Sequence, residues 1–129
     1  MRLLLDTHTI LWYIFGDTRL SIRARELILK TDEIYWSMVS IWEMGIKQSI
    51  GKPDFQLPAN WSQYIPSEMS RQGLSLLDIR PSHCNTVSVL PWHHRDPFDR
   101  LLIATAQTEN LTIISRDSHF KSYDVEIIW

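Results

Sequence analysis

Short apolar runs alternate with stretches of helical period along the whole chain. Arg2-Leu3-Leu4-Leu5-Asp6 has no polar alternation, the pattern of a short strand buried on both faces in a parallel sheet. Ile34-Tyr35-Trp36, Leu76-Leu77-Asp78-Ile79, Leu111 to Ser115 and Val125 to Ile128 read as further strands. Between them lie helical segments. Ile10 to Phe15 is capped by Thr7 or Thr9 and ended by Gly16, and a second helix opens at Ser21 and buries Ala24, Leu27 and Ile28. Ser37 caps a third helix from Met38 to Ile50, whose apolar face is Met38, Val39, Ile41, Trp42 and Ile46. A fourth starts at Asn60 or Trp61 and runs toward Gly73, kinked or interrupted near Pro66. Pro81-Ser82 opens a helix to about Leu90. Asp96 and Pro97 start one that reaches about Asn110, with Asp96 as N-cap and Pro97 at the first helical position.

Strands alternating with helices predict an α/β fold with a mostly parallel central sheet, and 129 residues suit a single domain spanning 1–129. In such sheets the functional crevice lies at the carboxyl ends of the strands. Four acids are expected at that edge. Asp6 ends the first strand, and Asp117 follows the strand Leu111 to Ser115. Asp99 lies in the first turn of its helix, on the same face as Phe98, Leu102, Ile103 and Ala106, while Arg100 and Gln107 are expected to point away. Glu43 lines up with Ser40 and Lys47 beside the apolar face of its helix.

Each acid also has a purely structural account. Asp99 suits a helix start, Glu43 and Lys47 suit a solvated i,i+4 pair, and Asp117 suits a turn or cap for Ser118 to Lys121. Taken together, four carboxylates at one edge repel one another and demand a cation, and clustered hard oxygens suit Mg²⁺ or Mn²⁺.

Composition narrows the picture. A formal charge of −2 gives no global attraction for nucleic acid, so such binding would rely on local basic residues or metal. The single cysteine, Cys84, cannot form an internal disulfide, which fits a reducing cytoplasm. No apolar run approaches the ~20 residues of a membrane span, and Asp6-Thr7-His8-Thr9 interrupts the apolar start that a signal peptide needs. Gly45 to Pro53 imitates a phosphate-binding loop with the wrong glycine spacing and no Ser or Thr after Lys52. The five histidines (His8, His83, His93, His94 and His119) are scattered and show no zinc-ligand spacing.

The ordered set Leu4-Leu5-Asp6-Thr7-His8-Thr9, Ser40-Ile41-Trp42-Glu43 with Lys47, His94-Arg95-Asp96-Pro97-Phe98-Asp99-Arg100-Leu101-Leu102-Ile103-Ala104, and Ser115-Arg116-Asp117 with Phe120 resembles a PIN-domain ribonuclease of the bacterial VapC-like toxin type. The resemblance spans essentially the whole chain and implies a three-layer α/β/α fold. It carries the family's active-site acids onto Asp6, Glu43, Asp99 and Asp117, as ligands of one or two Mg²⁺ or Mn²⁺ ions, Glu43 directly or through water. Thr7, Ser40, Asp96 and Ser115 fall in supporting positions, with Ser115 where the family often has threonine. Asp96 matches only a subset of the family and also suits a helix cap. The implied reaction is hydrolysis of RNA by metal-activated water, leaving a 3′-hydroxyl and a 5′-phosphate. Arg95, Arg100, Arg116 and Lys47 are the basic residues placed to contact RNA phosphates. The resemblance further implies an antitoxin that inserts a peptide near the acids, and a homodimer. Two other functions share the same acids: a small-molecule phosphohydrolase and a non-catalytic RNA-binding module. Asp6 lacks the second Asp two residues on that would favour an aspartyl-phosphate mechanism.

Overall fold

The computed structural model describes residues 1–129. Its five strands, β1 (Arg2–Leu5), β2 (Glu33–Ser37), β3 (Ser75–Leu77), β4 (Thr112–Ile114) and β5 (Ile127–Ile128), form one sheet in the order β3-β2-β1-β4-β5. Every pairing is parallel, with Leu5 opposite Trp36 on one side and Ile114 on the other. Six helices connect them: α1 (Thr7–Ile14), α2 (Ile22–Lys30), α3 (Met38–Ile50), α4 (Trp61–Arg71), α5 (Pro81–Val89) and α6 (Pro97–Glu109); a 3₁₀ turn covers Ser118–Ser122.

The apolar strands divide between two cores because successive side chains of a strand point to opposite faces. Leu3, Leu5, Ile34, Trp36 and Ile114 pack with Ile10, Trp12, Ala24, Ile28, Ile65 and Met69 of α1, α2 and α4. Leu4 and Ile113 face the other way, onto Leu102, Ile103, Ala104 and Ala106 of α6, joined by Leu90 and Phe120. The result is the expected three-layer α/β/α arrangement. Helix α3 bridges both layers, giving Met44 to the first core and Val39 to the second.

Several boundaries differ from the sequence expectation for identifiable reasons. Thr7 and Thr9 do not cap α1: Asp6 does, its Oδ1 accepting from the Thr9 N–H at 2.8 Å, so the helix begins at Thr7. Asp is as good a cap as Thr, and it sits where the buried strand stops. Strand β3 ends at Leu77, before Asp78, and β5 is only Ile127–Ile128 because its ladder with β4 is that short. Helix α4 passes through Pro66 without interruption. Trp42 and Ile46 are not core residues: they are 52% and 41% exposed, and with Ile50 at 60% they form an i, i+4, i+8 stripe on the outer side of α3. Trp42 meets the Phe98 ring edge-on at 4.8 Å. Gly51 (φ 74°) and Asn110 (φ 57°) close α3 and α6 in the left-handed conformation that these residue types favour.

The largest correction concerns Arg100, expected to point outward and contact RNA. It is buried, with 4% exposure. Its Nη1 donates to the carbonyls of Pro91 (2.9 Å) and His94 (3.4 Å) and to the Tyr123 hydroxyl (3.3 Å), and Nη2 donates to the carbonyls of Val87 (3.2 Å) and Leu90 (3.4 Å). The guanidinium also lies 3.9 Å from the centroid of the Trp92 ring. Its charge is thus answered by carbonyl oxygens and a π-face, and it clamps the segment between α5 and α6. Replacing it with an apolar side chain leaves several carbonyls without a donor at once. Arg100→Met should therefore lower unfolding free energy by about 2–4 kcal/mol in urea titrations, whereas exposed Arg95→Met should change it by less than about 0.5 kcal/mol.

Candidate functional site

The strand order reverses between β1 and β4, since successive strands run to one side from β1 and to the other from β4. This is the topological switch point, where helices on opposite faces diverge and leave a crevice at the strands' carboxyl ends. A cleft of about 710 Å³ opens there, and Asp6, Glu43, Asp99 and Asp117 all line it.

Each acid is fixed by an element that the sequence built for another purpose. Asp6 follows β1 and caps α1 with Oδ1, while its Oδ2 accepts a hydrogen bond from the Ser115 hydroxyl. Ser115 Oγ also accepts from the Asp117 N–H at 3.0 Å, so one hydroxyl ties the ends of β1 and β4 together. Thr9 adds a second tie, donating to the Ile114 carbonyl at 2.9 Å. Asp99 stands in the first turn of α6, whose cap is Asp96: Asp96 Oδ1 accepts from the Asp99 N–H at 3.0 Å. Glu43 is not a solvated surface acid. It is 4% exposed, its Oε1 accepts from the Thr7 hydroxyl at 2.5 Å, and its Oε2 pairs with Lys47 Nζ at 2.7 Å. The same Thr7 hydroxyl lies 2.9 Å from Ser40 Oγ, which is fully buried. Thr7 and Ser40 therefore hold Glu43 from behind, and Ser115 holds Asp6.

The electrostatics show how poorly these carboxylates are neutralised. Seven Asp and Glu side chains line the cleft against Arg19, Lys47 and Arg116. Arg19 is engaged with Asp17 at 2.7 Å and Lys47 with Glu43. Asp99 is pushed up to about 7, chiefly by burial, with the Asp96 and Glu43 charges adding to it against the opposing hydrogen bond of His94. Burial also raises Asp6, more than its hydrogen bonds from Ser115 and Thr9 lower it. Asp117 moves the other way: burial works to raise it, but the backbone and ring of His119 and the charge of His94 outweigh that and hold it below the usual range.

Among the basic candidates, Lys47 and Arg116 line the cleft, while Arg95 is exposed and outside its lining and Arg100 is buried elsewhere. Arg116 and Arg19 both lie over the Trp12 ring, at 4.8 and 5.1 Å from its centroid. Two of the histidines expected to be scattered, His94 and His119, instead meet at the cleft. His94 Nε2 lies 2.7 Å from Asp99 Oδ2, and His119 Nδ1 lies 2.7 Å from Asp117 Oδ1. Their positions just before the α6 cap and two residues after Asp117 were the available signals. Sequence reasoning overlooked the aromatic wall of the cleft, where His8 packs against Trp12 and Phe55.

A raised carboxylate has a defined consequence for stability. Between about pH 4 and pH 7 the folded chain keeps the Asp99 proton that the unfolded chain has lost, so stability falls as pH rises through that window. In metal-free protein, the Asp99 share of this decline should reach roughly 1.4 kcal/mol per pH unit. Urea titrations across this range should show a shallower decline for Asp99→Asn than for wild type, and the variant should be at least as stable above pH 7.

Known proteins resemble this chain in sequence and in fold. Ribonuclease VapC22 of Mycobacterium tuberculosis (strain ATCC 25618 / H37Rv) is 28% identical over 122 residues, which cover 93% of this chain and 90% of that protein. Among the solved structures that share the fold are two toxin–antitoxin proteins bound to DNA. VapBC2 from Rickettsia felis, bound to a DNA fragment from its promoter, aligns with a TM-score of 0.72 at 19% identity over 99% of this chain and 98% of that one. DNA-bound VapBC from Salmonella typhimurium aligns with a TM-score of 0.72 at 14% identity over 99% and 97% of the two chains. The sequence profile of the PIN domain matches residues 3–126, and on that match the chain belongs to the PIN domain family.

Proposed function

We propose that residues 1–129 act as one metal-dependent endoribonuclease domain, the toxin of a type II toxin–antitoxin pair. The observation that carries this reading is the convergence of Asp6, Glu43, Asp99 and Asp117 on one cleft at the sheet's switch point, with too few cations to neutralise them. The relative at 28% identity carries the name ribonuclease, and the fold neighbours include toxin–antitoxin complexes.

The donor chemistry fits a hard divalent ion. Asp6, Asp99 and Asp117 offer carboxylate oxygens, Glu43 offers another, and such a set suits Mg²⁺ or Mn²⁺. When bound, the ion would supply an activated water and charge neutralisation at the phosphate. The chain's own residues do the positioning. Thr7, Ser40 and Lys47 fix the Glu43 carboxylate, and Ser115 fixes both Asp6 and the backbone at Asp117. Lys47 and Arg116, on the walls of the cleft, are placed to receive phosphates of the RNA, leaving a 3′-hydroxyl and a 5′-phosphate after hydrolysis. The raised Asp99 gives up its proton more readily once a cation enters, because opposite charge favours the ionised form.

Two partner surfaces support the rest of the reading. The cleft continues from the acids to Leu11, Trp12, Phe15 and Leu57, an apolar wall suited to an inserted antitoxin peptide. The exposed stripe Trp42, Ile46 and Ile50, with Phe98 beside it, suits a homodimer contact. No helix is long and apolar enough to cross a membrane.

Incubation of the purified chain with a mixed RNA pool tests the chemistry. Cleavage should appear with Mn²⁺ or Mg²⁺ and vanish in excess EDTA. Cleavage that persists in EDTA would refute the metal mechanism. RNA binding without cleavage would identify a binding module, and turnover of small phosphoesters alone would identify a phosphohydrolase. Glu43→Gln separates site from scaffold in a second way. It should reduce cleavage by about 100-fold or more while the protein remains folded, since a transition-state contribution of about 2.7 kcal/mol corresponds to that factor. Undiminished cleavage in the variant would make Glu43 a structural acid.

A further inference from the structure

The His94 and His119 rings stack at the mouth of the acidic cleft, 4.7 Å between centroids and within 5° of parallel. One ligand-type atom from each of His94, Asp117 and His119 lies within 4.8 Å of the others. Two imidazoles and one carboxylate are the donor set of a borderline transition ion, whereas the acids deeper in the cleft offer oxygens alone. We propose that His94, Asp117 and His119 form a binding site for a borderline divalent ion of the Zn²⁺ type, which shares Asp117 with the all-oxygen set.

The site needs only a local closure. Tetrahedral bonds of 2.0–2.1 Å place donor atoms about 3.4 Å apart, so the three groups must draw in by up to about 1.4 Å. His119 can supply that movement, because its side chain is 63% exposed on the short 3₁₀ turn. Its rotation also breaks the parallel stack, which otherwise keeps the two ring lone pairs from converging. His94 is the fixed member, with 16% side-chain exposure, and its backbone N–H donates to Tyr123 at 2.9 Å. Asp99 stands against its Nε2 at 2.7 Å, in the position from which a carboxylate orients a ligating histidine.

An ion held this way occupies Asp117 and fixes Asp99 against His94. It therefore removes two of the four acids from the hard-ion site. Zn²⁺ would thus antagonise Mg²⁺-dependent cleavage. That consequence rests on the nuclease reading above, but the binding site itself does not.

Metal-free full-length protein, titrated with Co²⁺ and followed by its visible d–d absorption, tests the site directly. Wild type should bind one Co²⁺ with the intense band of a low-coordinate, imidazole-ligated ion, and Zn²⁺ should displace it. Zn²⁺ outranks Mn²⁺ at nearly any mixed site, so the decisive quantity is the dependence on imidazole rather than affinity itself. His119→Ala should weaken Zn²⁺ binding by about tenfold or more relative to Mn²⁺ binding. His119→Cys, which restores a Zn²⁺ ligand without the ring, should recover it. Circular dichroism on both variants establishes that the fold persists. If His119→Ala leaves the Co²⁺ spectrum and the Zn²⁺-to-Mn²⁺ affinity ratio unchanged, the ion sits among the carboxylates alone and the proposal fails. It fails equally if wild type takes up no Co²⁺. Failure of RNA cleavage with Mn²⁺ would refute the nuclease reading and leave these titrations standing.

Discussion

The hydrogen bond from Ser115 to Asp6 is the contact on which the rest of the site depends. It joins the ends of β1 and β4, the two strands between which the sheet reverses its order. A parallel ladder brings those ends side by side but leaves nothing to hold them once pairing stops. The last ladder bond runs from the Asp6 N–H to the Ile114 carbonyl at 3.3 Å, and the Thr9 hydroxyl takes the same carbonyl at 2.9 Å. Beyond that point the chains diverge into α1 and into the loop carrying Asp117. The Ser115 hydroxyl spans the gap by donating to one acid and accepting from the backbone of the other. Burying Asp6 is unfavourable for its charge, and its pKa rises accordingly. Two structural duties offset that: the α1 cap at Oδ1 and the strand tie through Ser115 at Oδ2.

Two buried ionised or ionisable side chains with similar burial have opposite meanings here. Arg100 and Glu43 are each 4% exposed. Every hydrogen bond of Arg100 ends on a carbonyl or the Tyr123 hydroxyl, and it faces no carboxylate. It is satisfied, and it makes the segment between α5 and α6 rigid. That rigidity reaches the cleft, because the same segment carries His94, whose backbone N–H and carbonyl both belong to the Tyr123 and Arg100 network. Glu43 faces the cleft instead, and its charge reaches Asp99. The distinction between scaffold and site therefore lies in whether the charge faces the cleft and acts on its neighbours there, not in burial.

Sequence reading found the strands, the caps at Ser21, Ser37 and Asp96, and Asp6, Glu43, Asp99 and Asp117 among the seven acids that line the cleft, because each rests on a local signal. The apolar run before Asp6 is legible from sequence alone, as is the Asp-Pro start of α6. It failed where the answer is tertiary. Arg100 occupies the polar side of an isolated helix wheel, but α5 and the loop after it cover that side. Trp42 and Ile46 read as core because a wheel cannot say which part of an apolar arc meets the sheet. His94 and His119 are unremarkable in the chain and meet only because α6 and the turn after β4 start from the same edge of the sheet.

The four acids come from four separate segments, and this bears on how the site tolerates its own repulsion. Like charges within one helix turn would weaken that helix directly. Distributed as they are, each carboxylate is stabilised by its own local hydrogen bonds: Asp6 by Thr9 and Ser115, Glu43 by Thr7 and Lys47, Asp99 by His94, and Asp117 by His119. The residual repulsion is gathered at Asp99, the member with the elevated pKa. Asp99 is also the member with the least anchoring of its carboxylate. Its backbone N–H is capped by Asp96, while its side chain has His94 as its one hydrogen-bond partner. Strain of this kind is relieved by a cation rather than by refolding, since the scaffold bonds on Asp6, Thr7, Ser40 and Ser115 do not involve the Asp99 carboxylate. The fold thus separates the groups that hold the cleft together from the group whose charge state registers what enters it.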